Sequence, residues 1–285
     1  MKAIGIAADS TCDLSKELID KYGFSILPLC VSMGDREYQD GVDITLDELF
    51  AWSDQNNKTP KTSSTSPGLV GEFLKARMDE YEHLFFFTIG GKLSSTLSVL
   101  QVVAEELELE ERVHIIDSNN LSTGIGQMMI EAAEMAERGE SVEAITREMD
   151  RIRPMVRASF VVDTLTYLHR GGRCSGMTAL VGGTLKIHPC IEVEDGVLHV
   201  AKKYRGKMEK VIGNYVEDHL EAMMRANKHR IFITHGNCDE AVIQSVVDRI
   251  AALAHFDEIL ITRVGSVIGS HCGPGTLGIL YVEEW

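Results

Sequence analysis

Paired cysteines, histidine clusters and long apolar runs are all missing from this 285-residue chain. Its six cysteines are scattered without a C-x-x-C pair, so we expect neither a disulfide framework nor a zinc site. No apolar run approaches the ~20 residues that a membrane helix requires. The first residues enter a strand pattern directly and lack the layout of a signal peptide. These absences predict a soluble, cytoplasmic protein with no membrane span.

Basic residues are also scarce. The chain has 28 Lys and Arg against 43 Asp and Glu, which gives a net charge of −15. A nucleic-acid-binding protein needs a basic face, so the overall charge argues against generic nucleic-acid binding. The apolar fraction of 44% is ordinary for a globular protein that builds a full core.

The first half of the chain alternates short apolar strand patterns with helical patterns. The strand patterns are 3–8, 25–32, 83–89 and 113–117, and the helical patterns are 15–22, 46–56, 67–80, 94–109 and 122–138. The helix at 67–80 has a clear start, because Ser66 is a favoured N-cap and Pro67 suits the first helical position. This alternation predicts a mostly parallel sheet that is covered on both faces.

The pattern changes near residue 156. Strand patterns at 158–162, 183–194, 230–234, 259–263 and 276–282 accompany helical patterns at 207–226 and 239–254. Asp195-Gly196 adds a hairpin signal. We therefore predict an α/β protein of two domains, 1–156 and 157–285, with the smaller α/β domain second. No low-complexity linker separates them, so we expect the two domains to pack tightly.

Three segments rich in hydroxyl groups and glycine stand where predicted strands end. They are residues 61–68, 90–96 and 117–126. Small hydroxylated residues at helix N-termini offer O–H and N–H groups to an anion. Because ligands of parallel sheets bind beyond the carboxyl ends of the strands, the three segments are expected to converge on one anionic ligand.

Two segments look like phosphate-binding motifs, but their sequence context does not match those motifs. Residues 273–278 spell G-x-G-x-x-G but lead into a strand, and Gly91-Lys92 lacks the Ser or Thr that follows a Walker lysine. Asp9 and Ser10 follow the first strand, and we interpret them as turn residues that hydrogen-bond nearby amides. We expect no nucleotide and no other cofactor.

Arginine and histidine residues supply the remaining candidates. Residues 170–173, Arg-Gly-Gly-Arg, place two guanidinium groups on a tight turn. There they either bind an anion, or cap backbone carbonyls or pair with acidic side chains. His271 lies among glycines on a predicted loop, where an exposed functional role is expected, and His235 is the weaker candidate. No carboxylate stands at a spacing that indicates a triad with either histidine.

Taken in order, these segments resemble the DegV family of bacterial fatty-acid-binding proteins. The matching positions are 9–14, 62–63, 66–68, 93–96, 117–118, 122–126, 168–173, 195–196, 205 and 269–275. Each segment is weakly informative alone. The ordered set runs from the first strand to the last and is therefore specific.

The resemblance implies two α/β domains that enclose a tunnel for one long-chain fatty acid, such as palmitate or oleate. Hydroxyl groups of the first domain would hold its carboxylate. Carried over position by position, the carboxylate ligands are Thr62 and Ser94, with Ser63 and Gly91 beside them. The family often has Ser-Ser where this chain has Gly90-Gly91, so we expect amides freed by the glycines to replace the missing hydroxyls.

The resemblance also implies a role. His271, Arg170 and Arg205 would lie around the tunnel mouth, and a partner fatty acid kinase would phosphorylate the bound carboxylate. The chain itself would be a lipid-binding carrier and not an enzyme.

Two other functions stay open. The first is an enzyme related to dihydroxyacetone-kinase-like domains, in which His271 or His235 holds a small carbonyl substrate covalently. The second is a regulator that acts through protein contacts and takes no small ligand. A long apolar tunnel would exclude the first.

Overall fold

A computed structural model describes residues 2–173 and 187–284, which form three β-sheets with helices packed against them. The strands are β1 (Lys2–Asp9), β2 (Ser25–Leu27), β3 (Cys30–Met33), β4 (Arg36–Gln39), β5 (Lys61–Ser63), β6 (Tyr81–Thr88), β7 (Val113–Asp117), β8 (Val156–Val161), β9 (Ile187–Glu194), β10 (Val197–Arg205), β11 (Ala226–Gly236), β12 (Glu258–Arg263) and β13 (Thr276–Glu283). The α-helices are α1 (Lys16–Tyr22), α2 (Leu46–Asn56), α3 (Pro67–Glu80), α4 (Thr96–Glu106), α5 (Thr123–Glu137), α6 (Val142–Ile152), α7 (Thr166–Arg170), α8 (Met208–Met224), α9 (Glu240–Leu253) and α10 (Ser266–Cys272).

The first sheet is parallel, as the sequence predicts. Its strand order is β2-β1-β6-β7, and every neighbouring pair runs in the same direction. Thr88 and Asp117 are paired at the carboxyl ends of β6 and β7. The hydroxyl-rich segments that follow these strands therefore begin at one edge of the sheet.

The single strand predicted at 25–32 is wrong: the chain forms two strands in different sheets. β2 joins the parallel sheet, whereas β3 is the centre of a small antiparallel sheet with the order β4-β3-β5. The break falls at Pro28, which has no N–H to donate to a ladder. As a result β5 lies beside β3, with Thr62 paired to Val31, and Thr62 stands on a strand and not in a loop.

The third sheet contains six strands in the order β10-β9-β8-β13-β11-β12. All its pairings are antiparallel except that of β11 with β12. Asp195 and Gly196 join β9 to β10 with φ angles of 48° and 71°, which confirms the predicted hairpin. The first four residues of the strand predicted at 183–194, and Cys174, lie outside the described residues. The domain division at 156 stays a prediction; β8, the earliest strand of this sheet, starts there.

The largest apolar cluster is shared by both halves of the chain. It includes Phe85 and Phe87 of β6 together with Phe160 of β8 and Phe232 of β11. Helix α5, between the sheets, contributes Met128, which is fully buried. None of the described helices is long and apolar enough to cross a membrane.

Candidate functional site

A cavity of ≈ 240 Å³ is lined by loops at the edge of the parallel sheet and by strands of the six-stranded sheet. Its apolar lining is Leu29, Ile89, Leu93, Leu121, Phe160, Leu168, Leu198, Val267, Ile268 and Cys272. Its polar lining is Thr11, Thr62, Ser63, Ser64, Ser94, Ser95, Arg173 and His271. An apolar cavity with a few convergent polar groups is the usual form of a small-molecule site.

Thr62 and His271 meet in this cavity, although 209 positions separate them in the sequence. The Oγ1 atom of Thr62 lies 2.8 Å from Nε2 of His271. β5 holds Thr62, and the last turn of α10 holds the histidine. The structure thus brings together one residue that the sequence assigned to the carboxylate and one that it assigned to the mouth.

The expectation of an exposed His271 on a loop is wrong. Residues 266–272 form helix α10, and the Nδ1 atom of His271 is buried with no hydrogen-bond partner among the described residues. Burial lowers the pKa of His271 to about 4, and the positive charge of Arg173 contributes in the same direction. The imidazole is therefore neutral near pH 7.

Gly171 packs against the other face of this imidazole. A Cβ atom at position 171 would overlap Nδ1 of His271 and lie 2.7 Å from its Cε1. Only glycine leaves room for the ring in this position. The glycine pair noted in the sequence thus has a steric role beside the histidine, in addition to the turn at Gly172, where φ is 73°.

Serine hydroxyls form the second polar part of the cavity. The Oγ atom of Ser94 lies 2.9 Å from Oγ1 of Thr96 and accepts a hydrogen bond from the Thr96 amide at 3.3 Å. Ser64 and Ser95 are 3.2 Å apart between their Oγ atoms. Ser63 also lines the cavity. Thr62, Ser63 and Ser94 therefore share one cavity, while their role as carboxylate ligands stays a prediction.

The expected free amides of the two glycines are not free. The Gly90 amide donates to the Asn120 carbonyl at 2.8 Å, and the Gly91 amide donates to Asp117 Oδ1 at 3.1 Å. Gly91 is exposed and is absent from the cavity lining. The glycines instead allow close packing, since a Cβ on Gly90 would lie 3.2 Å from the Asn120 amide nitrogen. Both amides are thus already bonded within the protein, and Gly91 as a carboxylate ligand stays a prediction.

The two arginines of the Arg-Gly-Gly-Arg turn have different surroundings. Arg173 lines the cavity, and its Nε and Nη2 atoms donate to the Leu93 carbonyl at 3.2 and 3.1 Å. Arg170 is exposed on the outer side of the turn, where its Nη1 donates to Thr59 Oγ1 at 3.2 Å. Arg205 is exposed at the end of β10 and does not line this cavity.

A second, more open cavity of ≈ 560 Å³ adjoins the first on the side of Arg170. Thr62, His271 and Arg173 belong to both cavities. The outer cavity is lined by Asn57, Lys58, Thr59, Pro60, Lys61, Thr62, Arg170, Gly171, Arg173 and His271. All the charged side chains in this lining are basic, although the net charge of the chain is −15. We name it the outer basic cavity.

The turn interpretation of Asp9 is confirmed. Asp9 Oδ1 accepts from the Thr11 amide at 3.0 Å, and Oδ2 accepts from the Ile89 amide at 2.9 Å. Burial raises the pKa of Asp9 to about 6 against the lowering effect of these hydrogen bonds. Asp9 therefore positions two cavity residues, Thr11 and Ile89, without lining the cavity itself.

Two more buried carboxylates fix the start of α10. Asp13 Oδ1 accepts from the Gly265 amide at 2.7 Å, and Asp40 Oδ1 accepts from the Ser266 amide at 2.6 Å. Burial raises the pKa of both carboxyl groups. Through the short helix that follows, these bonds also determine where His271 lies.

Among the described residues, no nucleophilic triad surrounds His271 or His235. Within residues 2–173 and 187–284, neither His271 nor His235 is hydrogen-bonded to a carboxylate. His235 stands near the end of β11 and is not part of the cavity lining. The arrangement offers hydroxyl groups, a neutral imidazole and one guanidinium group, which can hold an anion.

Arg173 lines the cavity, although the sequence led us to place Arg170 and not Arg173 at the tunnel mouth. Its signal was present, because the turn at 170–173 contains two arginines, but the spacing does not decide which one faces inward. Thr11 was likewise assigned to a turn segment and not to the site. The inward position of Arg173 depends on hydrogen bonds to the distant Leu93, whereas Thr11 is held locally by Asp9.

Comparisons with known proteins agree with this fold. A family model described as "Uncharacterised protein, DegV family" matches residues 3–284. A DegV domain-containing protein of Clostridium perfringens is 31% identical over 288 residues, and the match covers all of both chains. A solved DegV family structure from Thermus thermophilus, described by its fatty acid binding, is 30% identical with a TM-score of 0.90 and covers 99% of this chain and 100% of its own. The structure of DegV from Bacillus subtilis, described as a fatty acid binding protein, is 25% identical with a TM-score of 0.86 and covers both chains completely. The chain belongs to the DegV family.

Proposed function

We propose that this protein binds one long-chain fatty acid in the cavity between its sheets. The observation that carries the proposal is an apolar cavity that also contains Thr62, Ser94 and the neutral imidazole of His271. The carboxylate would accept hydrogen bonds from the two hydroxyls, and the tail would contact leucine and phenylalanine side chains of both halves. The fatty acid binding described for the Thermus thermophilus and Bacillus subtilis relatives supports this assignment.

The apolar tail would supply most of the affinity. A palmitoyl tail buries about 14 methylene groups at ~0.8 kcal/mol each, an upper limit near ~11 kcal/mol before the losses of translational and conformational freedom. Hydrogen bonds to a charged carboxylate contribute about 1.5–3 kcal/mol each. Head-group residues would therefore decide the orientation of the acid more than its retention.

The outer basic cavity supports a finer proposal, the presentation of the bound acid to a kinase. Thr62 and His271 lie at the wall that this cavity shares with the inner one, and Arg170, Lys58 and Lys61 surround its outer side. Basic side chains at this position suit the negative charge of a phosphoryl group that arrives at the carboxylate. On this proposal the chain is a carrier and supplies no catalytic residue of its own.

Mass spectrometry of the purified protein tests the primary proposal. A native spectrum gives the stoichiometry, and denaturing extraction identifies the bound acid. One long-chain fatty acid per chain is expected. A delipidated protein that takes up neither palmitate nor oleate would refute the proposal, and binding of a small carbonyl compound at His271 would support the enzyme in its place.

Ser94→Ala tests the head-group assignment within the same assay. Removal of its hydroxyl is expected to weaken binding of palmitate about tenfold, by loss of one hydrogen bond. Ser98→Ala is the matched control, because Ser98 is exposed on the following helix. Equal affinity of the Ser94 and Ser98 variants for palmitate would remove Ser94 from the site.

Kinase presentation needs a separate measurement. Loaded protein, a fatty acid kinase catalytic subunit and ATP should yield acyl phosphate, and Arg170→Gln should slow that reaction while leaving palmitate affinity unchanged. An unchanged rate in the variant would exclude a role for Arg170.

A further inference from the structure

Three side chains with metal-binding atoms come together on the six-stranded sheet, on the side that α8 covers. The Sγ atom of Cys190, a carboxylate oxygen of Glu192 and a ring nitrogen of His219 all lie within 4.8 Å of one another. Cys190 and Glu192 are two positions apart on β9 and so face the same side of the sheet. Cys190 is fully buried, and the side chain of His219 is 15% exposed. We name these three residues the β9–α8 cluster.

The ring of His219 is held in one orientation. Its Nδ1 lies 2.9 Å from the Tyr215 carbonyl oxygen, and the two rings are 4.6 Å apart between centroids. A backbone carbonyl only accepts hydrogen bonds, so Nδ1 carries the proton that is donated to it. The other ring nitrogen, Nε2, faces Glu192 Oε1 at 3.3 Å. Ligating histidines commonly use the same arrangement, with the second ring nitrogen donating to a backbone carbonyl.

We propose that the β9–α8 cluster binds a divalent transition-metal ion of the zinc type, with Cys190, Glu192 and His219 as its ligands. A thiolate, an imidazole and a carboxylate are the donor set that zinc takes in proteins. Tetrahedral bonds of about 2.0–2.3 Å place ligand atoms roughly 3.3–3.8 Å apart, so small side-chain rotations close the site.

His199 is a candidate for the fourth ligand. His199 is paired directly with Glu192 across the β9–β10 hairpin, and its Nε2 lies 3.7 Å from Glu192 Oε2. This residue or a water molecule would complete a tetrahedron. The neighbouring positive charge of Lys202 is already paired, since its Nζ lies 2.6 Å from Asp218 Oδ2.

The sequence gives no sign of a zinc site because the three ligands lie on a strand and a helix, without a recognisable spacing. The hairpin that the ion would fasten to α8 also carries Leu198, which lines the fatty acid cavity. The ion would therefore stabilise one wall of that cavity from behind. It would contact neither Thr62 nor His271, so the inference is independent of the proposed function.

Metal analysis of the full-length protein tests the inference. The protein is dialysed against a chelator, then against zinc chloride, and its zinc content is measured by elemental mass spectrometry. Binding of one zinc ion per chain is expected, together with a higher melting temperature. With cobalt(II) chloride, thiolate ligation should give a charge-transfer absorption in the near ultraviolet.

Variants assign the ligands. Cys190→Ala and His219→Gln should each lose the stoichiometric zinc and the rise in melting temperature. Cys238→Ala is the control for the thiol, because Cys238 lies outside the cluster, and His229→Gln is the control for an exposed imidazole. If Cys190→Ala fails to fold, His219→Gln and the cobalt spectrum of the unaltered protein decide the question.

Two results would overturn the inference. One is the absence of stoichiometric zinc and of a thiolate–cobalt band in the unaltered protein, which would leave Glu192 and His219 as a simple ion pair. The other is full zinc retention in both cluster variants. Neither result would affect the fatty acid proposal, which rests on a different cavity.

Discussion

Gly171 and His271 are in direct van der Waals contact, and the histidine ring occupies the space that a side chain at position 171 would need. The same ring reaches Thr62 Oγ1 with its Nε2 at 2.8 Å. The turn that carries Arg173 therefore determines how closely the imidazole approaches the hydroxyl. A change on one side of the ring should be measurable on the other.

Gly171→Ala is expected to displace the imidazole and weaken palmitate binding about tenfold, the equivalent of one lost hydrogen bond. A fluorescent fatty acid displacement assay measures the affinity. Gly213→Ala is the control, since a Cβ on Gly213 of α8 meets no atom within 4 Å. Identical affinities of the two variants would show that the contact with His271 has no influence on the ligand.

Thr62→Val removes the hydroxyl but keeps the shape of the side chain. We expect a loss of palmitate affinity of about tenfold with little change in thermal stability, because Thr62 is only partly buried. Thr146→Val is the control, since the Thr146 hydroxyl is bonded to its own helix at Val142. An affinity equal to that of the control would exclude Thr62 as a head-group ligand.

Leu198→Trp should shorten the acyl chain that the protein accepts. Leu198 lines the cavity, so an indole there would fill space that the tail needs. Its neighbour Val197 is 45% exposed, and Val197→Trp is therefore the matched control. Extraction and mass spectrometry should recover shorter acids from Leu198→Trp alone. An unchanged acid profile would place the tail elsewhere.

His271 should make the stability of the protein depend on pH in a defined window. Its folded pKa of about 4 lies below the unfolded value of 6.5, so the unfolded state binds the proton first. The stabilising contribution is complete above pH 6.5 and is lost as the pH falls through 4. This pKa difference between the folded and unfolded states corresponds to about 3 kcal/mol at most in the free energy of unfolding.

Urea unfolding of the protein and of His271→Gln between these pH values measures this contribution. The unaltered protein should lose more stability on acidification than the variant, because glutamine does not titrate. Parallel pH profiles would mean that the ring is accessible to protons in the folded state. Asp9 has a raised pKa of about 6, which affects the pH dependence of stability in the opposite direction. Because Asp9 is present in both proteins, its effect cancels in the comparison.

Local signals were sufficient for part of the fold. Helix α3 spans Pro67–Glu80 as predicted, and the Ser66 side chain accepts from the Leu69 amide as an N-cap should. β7 was also predicted at its observed bounds. In α3 the capping residues, and in β7 the apolar run, favour the same structure as the tertiary contacts do. The local signals were therefore sufficient for these two segments.

Helix α10 could not be predicted from the same signals. Its seven residues include Gly269 and two β-branched residues, which disfavour a helix. The tertiary structure stabilises it: the Gly265 and Ser266 amides at its start are bonded to buried carboxylates, and a Cβ on Gly269 would overlap Leu46. The position of His271 depends on these distant contacts, so the sequence indicated the residue but not its burial.

The hydrogen bonds from the Gly265 amide to Asp13 and from the Ser266 amide to Asp40 join segments that are more than 220 residues apart in the chain. Such long-range contacts form late, because closing long loops is entropically unfavourable. A chain in which the parallel sheet and the small antiparallel sheet have folded without α10 therefore has Thr62 and Ser94 but no His271 beside them. The complete set of polar cavity residues therefore forms only after α10 has joined the fold.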